Sequence, residues 1–373
     1  ACRAGAILGT LQAGYTDFKF LPDTTKEIFD REALLGVSIT GWMNNPDILF
    51  NPEILEEGAN IVRQTNREVA EVIGINPAAR TTCVKPSGNA SVLLQTASGI
   101  HAEHSNMYIR NVQMNKESEV TQAIQKTNPH MVEESVWSAG GTDVVVSFPI
   151  LPKEGSMLKD DLIGVDHLEK VKLAQEHWVN AGTNEELCAD KGVRHNVSNT
   201  IIVKDWDEVE SYVFKNRRSF AGISFLSSMG DKDFNQAPNT GVIDANTMVD
   251  KYGTAAIFAS GLVVDALNAF DNLWTACSTA QGMGEDLSVE STQTALKKDW
   301  IRRFNNFANN YLDGNLKETE YCLKDSYLLH KWNKINANFK DINWEHDLTE
   351  KKYTDVDTLG AAACAGGACE IDF

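Results

Sequence analysis

Apolar residues recur along the chain with two different periods, one typical of helices and the other of strands. Helical spacing marks residues 54–74 and 167–182. Strand-like runs rich in β-branched residues lie around these helices, at residues 34–40, 80–84, 108–114, 142–150, 196–203 and 220–227. Strands separated by helices predict an α/β fold in which most strands pair in parallel.

Capping signals mark where several helices begin and end. Asn51 can cap the first helix, with Pro52 in its first turn. Gly182 is placed to end the second helix. Asp205, three positions before Glu208, is typical of a capping box that opens a further helix.

The pattern changes in the last third of the chain. From residue 245 to about residue 338 it is almost entirely helical, and the small-residue end LGAAACAGGACEIDF has no apolar periodicity. We therefore expect an α/β region over residues 1–244, a mainly helical region over 245–340 and a flexible tail over 341–373.

Charge and composition restrict the class of function. The 373 residues include 52 acidic and 34 basic side chains, a formal net charge of -18, which argues against general nucleic-acid binding but not against a nucleotide ligand. The longest apolar stretch is interrupted by Asp265 and is too short for a membrane span. An odd number of cysteines, seven, and no signal-peptide pattern favour a cytoplasmic protein.

The stretch VKPSGNAS has the features of an anion-binding turn. Pro86 must end the preceding strand, and Ser87 or Asn89 can cap a helix that starts at Gly88 or just after it. Ser91 adds a hydroxyl within the first helical turn. Free N–H groups at the positive end of a helix bind phosphate, although a routine strand-turn-helix with a capping serine would show the same residues.

Two histidines follow this turn in TASGIHAEH. His101 and His104 have the H-x-x-H spacing of some metal sites, but only Glu103 lies near them as a further ligand. We expect ordinary hydrogen-bonding histidines near a substrate pocket instead, and we predict no metal site.

Two cysteines lie five positions apart in the C-terminal CAGGAC. Glycine and alanine between Cys364 and Cys369 make the segment flexible enough to close a disulfide, so we interpret them as a redox pair on a mobile tail. Half of a zinc site and an irregular C-terminus are the competing interpretations. Buried, inert thiols are expected for the internal cysteines, Cys83, Cys188, Cys277 and Cys322.

Several stretches together resemble the adenosylcobalamin-dependent (class II) ribonucleotide reductases. The longest is TTCVKPSGNASVLLQTASGIHAEHSNMYIRNVQM, where the family's usual form is close to KPSGT-x-S followed by SGIH and YIRR. Further segments are similar in the same order, namely GTLQAGYTDFKFLP, REALLGVSITGWM, RHNVSNTIIVKDWDEVESYVFKNR and FAGISFLS. The resemblance covers most of residues 1–230 and the terminal C-x4-C.

The resemblance implies a fold and a reaction. Residues 1–244 would form the second half of a ten-stranded α/β barrel made of two parallel half-sheets, which the helical region would complete. The reaction would reduce ribonucleotides, with triphosphates as the expected substrates, to 2′-deoxyribonucleotides. In this family adenosylcobalamin generates a thiyl radical on a finger-loop cysteine, and a dithiol pair, recharged through the tail by thioredoxin or a similar reductant, supplies the electrons.

The resemblance also implies roles for individual residues. The substrate phosphates would be held by Ser87, Gly88, Asn89, Ala90 and Ser91. Pro86, Gly99 and His101 would line the substrate pocket, and Cys364 with Cys369 would be the redox shuttle.

Two departures from the family pattern matter. Asn89 stands where the family more often has threonine, which keeps a polar residue at that point. The Asn-Pro-Cys-Gly-Glu finger loop, which would carry the radical cysteine, is not in the sequence, which opens with ACRAGAILGT. We therefore expect a C-terminal portion that works with a separate N-terminal portion and is inactive alone.

Two other functions fit parts of the sequence. A non-catalytic nucleotide-binding or regulatory module would keep the turn and lack the radical cysteine. A thiol oxidoreductase would use only Cys364 and Cys369 and would leave the rest of the chain unexplained.

Overall fold

The structure is a computed structural model that describes residues 1–138, 140–228, 236–256, 259–261, 298, 302–303 and 305–344, without the side chain of residue 89. Its helices are α1 (Cys2–Ala13), α2 (Asp23–Glu32), α3 (Pro46–Leu49), α4 (Pro52–Ile73), α5 (Gly88–Leu93), α6 (Glu119–Thr127), α7 (Val165–Ala174), α8 (Trp206–Asn216), α9 (Ala245–Tyr252) and α10 (Leu316–Asn338). Its strands are β1 (Val37–Ser38), β2 (Thr82–Cys83), β3 (Tyr108–Asn115), β4 (Val132–Glu134), β5 (Asp143–Ile150), β6 (Ile201–Val203), β7 (Phe225–Ser227) and β8 (Asn239–Gly241).

The chain divides into two units. The first unit comprises residues 1–105 and 152–232, and the second comprises residues 106–151 and 233–373. These units do not follow the boundaries expected at residues 244 and 340, because residues 106–151 group with the later part of the chain.

Short strands of the first unit pair in parallel, as predicted. Strand β1 pairs with β2, and β6 pairs with β7. Just after β2, Val84 forms a parallel bridge with Val197, in which the Val84 N–H donates to the Asn196 carbonyl at 3.2 Å. The parallel pairing places the carboxyl ends of β1 and β2 side by side.

Helix α4 illustrates how sequence signals form this unit. The Asn51 side chain accepts hydrogen bonds from the N–H groups of Glu53 and Ile54, which confirms the predicted cap. The apolar face of α4 is buried, and the helix ends at Gly74 with a φ of 76°. The core around it consists mainly of Trp42, Met43, Leu55, Val62, Val84, Ile100, Leu168, Trp178 and Ile201.

The predicted helix at 167–182 is present with an altered end. Helix α7 continues as a π-helical turn over Gln175–Asn180. Gly182 follows it against β2, where a Cβ would lie 1.9 Å from Thr82 Oγ1, so only glycine fits at this position. The Asp205 side chain accepts from the Glu208 N–H at 3.1 Å and caps α8, as predicted.

The second unit contains an antiparallel sheet with the order β4-β5-β3-β8. The prediction that most strands pair in parallel therefore does not hold for the strands at 108–114 and 142–150. Strands β4 and β5 are joined by a short connection, which requires them to run in opposite directions. One face of this sheet packs on α10, in a cluster that includes Met114, Val144, Val146 and Ile335. The alternation of apolar and polar residues in β3 therefore reflects a sheet with one apolar face.

Helices α9 and α10 confirm the helical character of the described residues beyond 245. Asp244 caps α9 by accepting from the N–H groups of Asn246 and Thr247. The two helices share an apolar cluster that includes Met248, Tyr252, Cys322 and Leu323. Among the described residues, no helix is long and apolar enough to cross a membrane.

Candidate functional site

The candidate phosphate turn, residues 84–91, connects β2 to α5 in the first unit. Val84 is fully buried, whereas Pro86, Gly88 and Ala90 are exposed. The first N–H groups of a helix have no partner within it, and two of the residues that carry them here, Gly88 and Ala90, are exposed. A Cβ at Gly88 would meet no atom within 4 Å, which leaves open space beside these amides. This arrangement can accept an anion.

Thr40, which follows β1, holds the turn in place. Its hydroxyl donates to the Ala97 carbonyl at 2.9 Å and accepts from the Gly99 N–H at 3.0 Å. The Ser87 hydroxyl lies 2.5 Å from the same oxygen and must donate to it, because Thr40 has only one hydroxyl hydrogen. Ser87 occupies the N-cap position of α5, but its side chain makes no cap hydrogen bond.

The loop after α5 contacts the turn through Ser98 and Gly99. Gly99 has a φ of 56°, and a Cβ there would lie 2.8 Å from the Lys85 carbonyl oxygen. Ser98 Oγ accepts from the Ser87 N–H at 2.9 Å. Only glycine permits this close approach without a shift of the turn, so Gly99 acts on the site by shaping the backbone.

Ser91 differs from its expected orientation toward a ligand. It is fully buried, and its hydroxyl donates to the Ser87 carbonyl, with the Gly88 carbonyl 3.2 Å away. A hydroxyl that bonds within the first helical turn stabilises that turn and leaves the exposed backbone amides to meet an anion. The side chain of Asn89 lies outside the described part of the structure.

Asn44 forms a second polar centre behind the turn. Its Oδ1 accepts from the Thr96 hydroxyl at 2.5 Å and from the Ala97 N–H at 2.7 Å. Its Nδ2 donates to Glu103 at 2.7 Å and to Ser156 at 3.0 Å. Asn44 is 6% exposed, so these bonds satisfy a buried amide and fix the segment that carries Gly99.

Two neutral histidines border this segment. Burial lowers the pKa of His101 below its ordinary value, and the bond to the Ser98 carbonyl offsets this only in part. Since a carbonyl only accepts, Nδ1 of His101 carries the proton and its Nε2 keeps a lone pair. Burial likewise lowers the pKa of His167 to about 4, and its Nε2–H donates to the Ile100 carbonyl at 3.2 Å.

The other predicted residues take different places. Within the described ranges, no three His, Cys, Asp or Glu side chains gather as a metal site would require. Cys364 and Cys369 lie outside the described residues, as does Cys277. Cys188 and Cys322 are buried, and burial raises the pKa of Cys322 to about 11.

Cys83 is the described thiol nearest the turn. It is partly buried, and burial raises the pKa of its thiol despite the positive charge of Lys85. A Cβ at Gly36 would lie 2.7 Å from its sulfur, so the thiol is packed tightly against the β1 strand. These surroundings favour the inert thiol that the sequence predicts.

Sequence reasoning missed Thr40 and Asn44. Both follow β1 in the stretch TGWMNN, and the pairing of β1 with β2 brings that stretch beside the turn. The available signal was the parallel pairing itself, because the segments after neighbouring parallel strands meet at one edge of a sheet.

Comparison with known proteins supports the resemblance only over part of the chain. No family model matches the sequence. The chain is similar to an adenosylcobalamin-dependent ribonucleoside-triphosphate reductase from Euglena gracilis, with 25% identity over 169 residues, which are 44% of this chain and 23% of that enzyme. A probable enzyme of the same kind from Dictyostelium discoideum is 26% identical over 172 residues, 45% of this chain and 22% of the relative.

A solved structure shows the same fold. A crystal structure of a B-12 dependent (class II) ribonucleotide reductase matches 66% of this chain and 37% of its own chain, with a TM-score of 0.52 and 17% sequence identity. The matches span less than a quarter of each curated relative. The fold is therefore of the mixed helix and sheet kind found in that reductase.

Proposed function

We propose that this chain is the substrate-binding C-terminal portion of an adenosylcobalamin-dependent ribonucleotide reductase, acting on ribonucleoside triphosphates. The observation that carries the proposal is the phosphate turn, residues 84–91, whose exposed amides are held by Thr40 and Ser98. Both curated relatives are named as ribonucleoside-triphosphate reductases. The polyphosphate of such a substrate is the anion that this turn fits.

The turn would bind the substrate mainly through its backbone. The N–H groups of Gly88, Asn89 and Ala90 would donate to phosphate oxygens, and Lys85 would add positive charge nearby. Ser87 and Ser91 would keep the helix start fixed, since the Ser87 hydroxyl bonds to Thr40 and the Ser91 hydroxyl donates to the Ser87 carbonyl. His101, neutral and with Nε2 as an acceptor, and Pro86 would border the nucleoside part.

The cofactor assignment comes from the relatives. Both are named as adenosylcobalamin-dependent, and adenosylcobalamin would supply the radical that starts the reaction. Among the residues that the structure describes, no three His, Cys, Asp or Glu side chains form a group that could hold a metal ion.

Two further parts complete the proposed enzyme. A portion with the Asn-Pro-Cys-Gly-Glu loop would supply the radical cysteine, which this sequence does not contain. Cys364 and Cys369 would carry electrons from thioredoxin or a similar dithiol to the active site, two electrons and two protons for each disulfide that is reduced. Without the first of these parts, the chain should bind substrate without converting it.

Reconstitution tests this proposal directly. The full chain would be mixed with a folded polypeptide that carries the Asn-Pro-Cys-Gly-Glu loop, adenosylcobalamin, a ribonucleoside triphosphate and dithiothreitol. Formation of 2′-deoxyribonucleotide by the mixture, and by neither polypeptide alone, is the expected result. No product from two folded partners that bind each other would refute the enzymatic role.

The exposed phosphate turn, residues 84–91, also fits a second function. A regulatory module that binds nucleotides through residues 84–91 would need no radical cysteine. It would bind a triphosphate with the same dependence on Thr40 but would yield no product in the reconstituted mixture. Binding without turnover therefore separates the module from the enzyme.

A further inference from the structure

A cleft of about 520 Å³ lies in the second unit, whereas the residues assigned to phosphate binding belong to the first unit. It is lined by Asn111, Gln113, Trp137, Val145, Gln236 and Pro238. Gln113 and Val145 are directly paired in the antiparallel sheet and therefore share one face. The neighbouring pair, Met114 and Val144, points to the opposite face and contributes to the core with α10.

Hydrogen bonds fix one wall of this cleft. Gln236 has a φ of 57°, and its Nε2 donates to the Glu134 carbonyl at 2.7 Å. Its Oε1 accepts from the Val136 N–H at 2.8 Å. The Gln236 side chain thus binds the backbone just before Trp137. Trp137 itself is 61% exposed. An amide that bonds twice to this backbone fixes the course of the chain just before Trp137.

The floor leaves one polar group for a ligand. Asn111 is satisfied, because its Nδ2 donates to the Ala237 carbonyl at 2.7 Å and its Oδ1 accepts from Ser147 at 2.8 Å. Gln113 is exposed and donates one hydrogen to Asp143 at 2.8 Å. An amide has two hydrogens and an acceptor oxygen, so Gln113 can both donate to a ligand and accept from it.

We propose that this cleft binds a flat, uncharged heteroaromatic ring, with the ring against Trp137 and its polar edge toward Gln113. Among the described residues that line the cleft, none has a charged side chain. Indole and amide side chains around an apolar floor are the groups that recognise such rings. Two sources share this chemistry, the base of a nucleoside and the benzimidazole of a corrinoid.

A carboxylate beside Gln113 makes the ring preferable to a phosphate. The Asp143 carboxylate accepts a hydrogen bond from Gln113, which lines the cleft, at 2.8 Å. Like charges would oppose a triphosphate here, so adenosine should bind more tightly than ATP. This order is the reverse of that expected at residues 84–91, and it does not depend on the proposed reductase activity.

Calorimetric titration of the full chain with adenosine, ATP and 5,6-dimethylbenzimidazole tests the proposal. Trp137→Leu should weaken binding of the preferred ring about tenfold, in line with the contribution of one stacked ring. Trp137→Phe should retain most of the affinity. Trp206→Leu, which changes another exposed tryptophan in the first unit, is the matched control and should have no effect.

Fluorine NMR provides a measurement that does not depend on the variants' affinities. The chain has eight tryptophans, and the 5-fluorotryptophan signal that disappears in Trp137→Leu identifies Trp137. The ligand should shift that signal first. Lack of saturable binding by either uncharged ring up to about 5 mM would overturn the proposal. An unchanged affinity in Trp137→Leu, or shifts confined to other tryptophans, would overturn it equally.

Discussion

Thr40→Val replaces the hydroxyl that joins three parts of the phosphate turn with a methyl group of nearly the same size. The change removes bonds to the Ala97 carbonyl, the Ser87 hydroxyl and the Gly99 N–H. At about 1 kcal/mol for each hydrogen bond, the free energy of unfolding should fall by about 3 kcal/mol. Thr40→Ser keeps the hydroxyl and should lose less than about 1 kcal/mol.

The assay has a global and a local part. Urea denaturation followed by circular dichroism measures the free energy of unfolding of both variants. Hydrogen exchange of the amides in residues 86–99 reports whether the turn itself has loosened. Because those amides would then no longer be fixed, Thr40→Val should weaken tripolyphosphate binding about tenfold, whereas Thr40→Ser should change it little.

Thr121→Val is the matched control for this experiment. Thr121 is fully buried, and its hydroxyl has no hydrogen-bond partner among the described residues. The same substitution there removes an unsatisfied polar group and should leave stability unchanged or raise it. If Thr40→Val behaves like Thr121→Val in both unfolding and tripolyphosphate binding, the role assigned to the Thr40 hydroxyl is refuted.

Three further changes test other parts of the structure. Burial alone would raise the pKa of Glu32, but hydrogen bonds and charge from Arg31 and Arg80 lower it, so the ion pair stabilises the fold above about pH 4.5. That contribution should vanish as the pH falls through the lowered folded pKa, and Glu32→Gln should cost about 3 kcal/mol at pH 7 but much less in acid. Gly99→Ala should weaken tripolyphosphate binding through its contact with the turn, whereas Gly74→Ala, also at positive φ but without neighbours within 4 Å, should not. Replacing Cys364 and Cys369 with serine should abolish turnover of the reconstituted enzyme with thioredoxin but preserve it with dithiothreitol, and equal loss with both reductants would exclude a shuttle.

Local patterns in the sequence predicted the positions of the strands better than whether the strands pair in parallel or antiparallel. The strands at 108–114 and 142–150 appear almost as expected, as β3 and β5. Their antiparallel pairing was missed because the general expectation of parallel pairing was applied to every strand, while strand β4, which pairs with β5 in the opposite direction, is only three residues long. A strand of that length leaves too few positions to show a period.

The candidate site shows the same limit in another form. The turn from Pro86 to Ser91 could be found from residues that are adjacent in sequence. Thr40 and Asn44 lie more than forty positions from the groups they bind, and threonine or asparagine in a loop has no distinctive pattern. Their role becomes visible only when the β1–β2 pairing brings the two loops together.

An acidic chain can bind polyphosphate if the amides are in place before the ligand arrives. Salt screens the repulsion between the net charge of -18 and an anion at separations beyond about 10 Å. Backbone N–H groups, in contrast, act on the anion at hydrogen-bond distance. Flexible amides would have to lose entropy on binding and would forfeit that advantage. The bonds of Thr40 and the close approach of Gly99 remove this cost in advance. Higher salt should therefore weaken tripolyphosphate binding only modestly in the natural chain, and a steep salt dependence would indicate that side-chain charge, not fixed backbone, holds the anion.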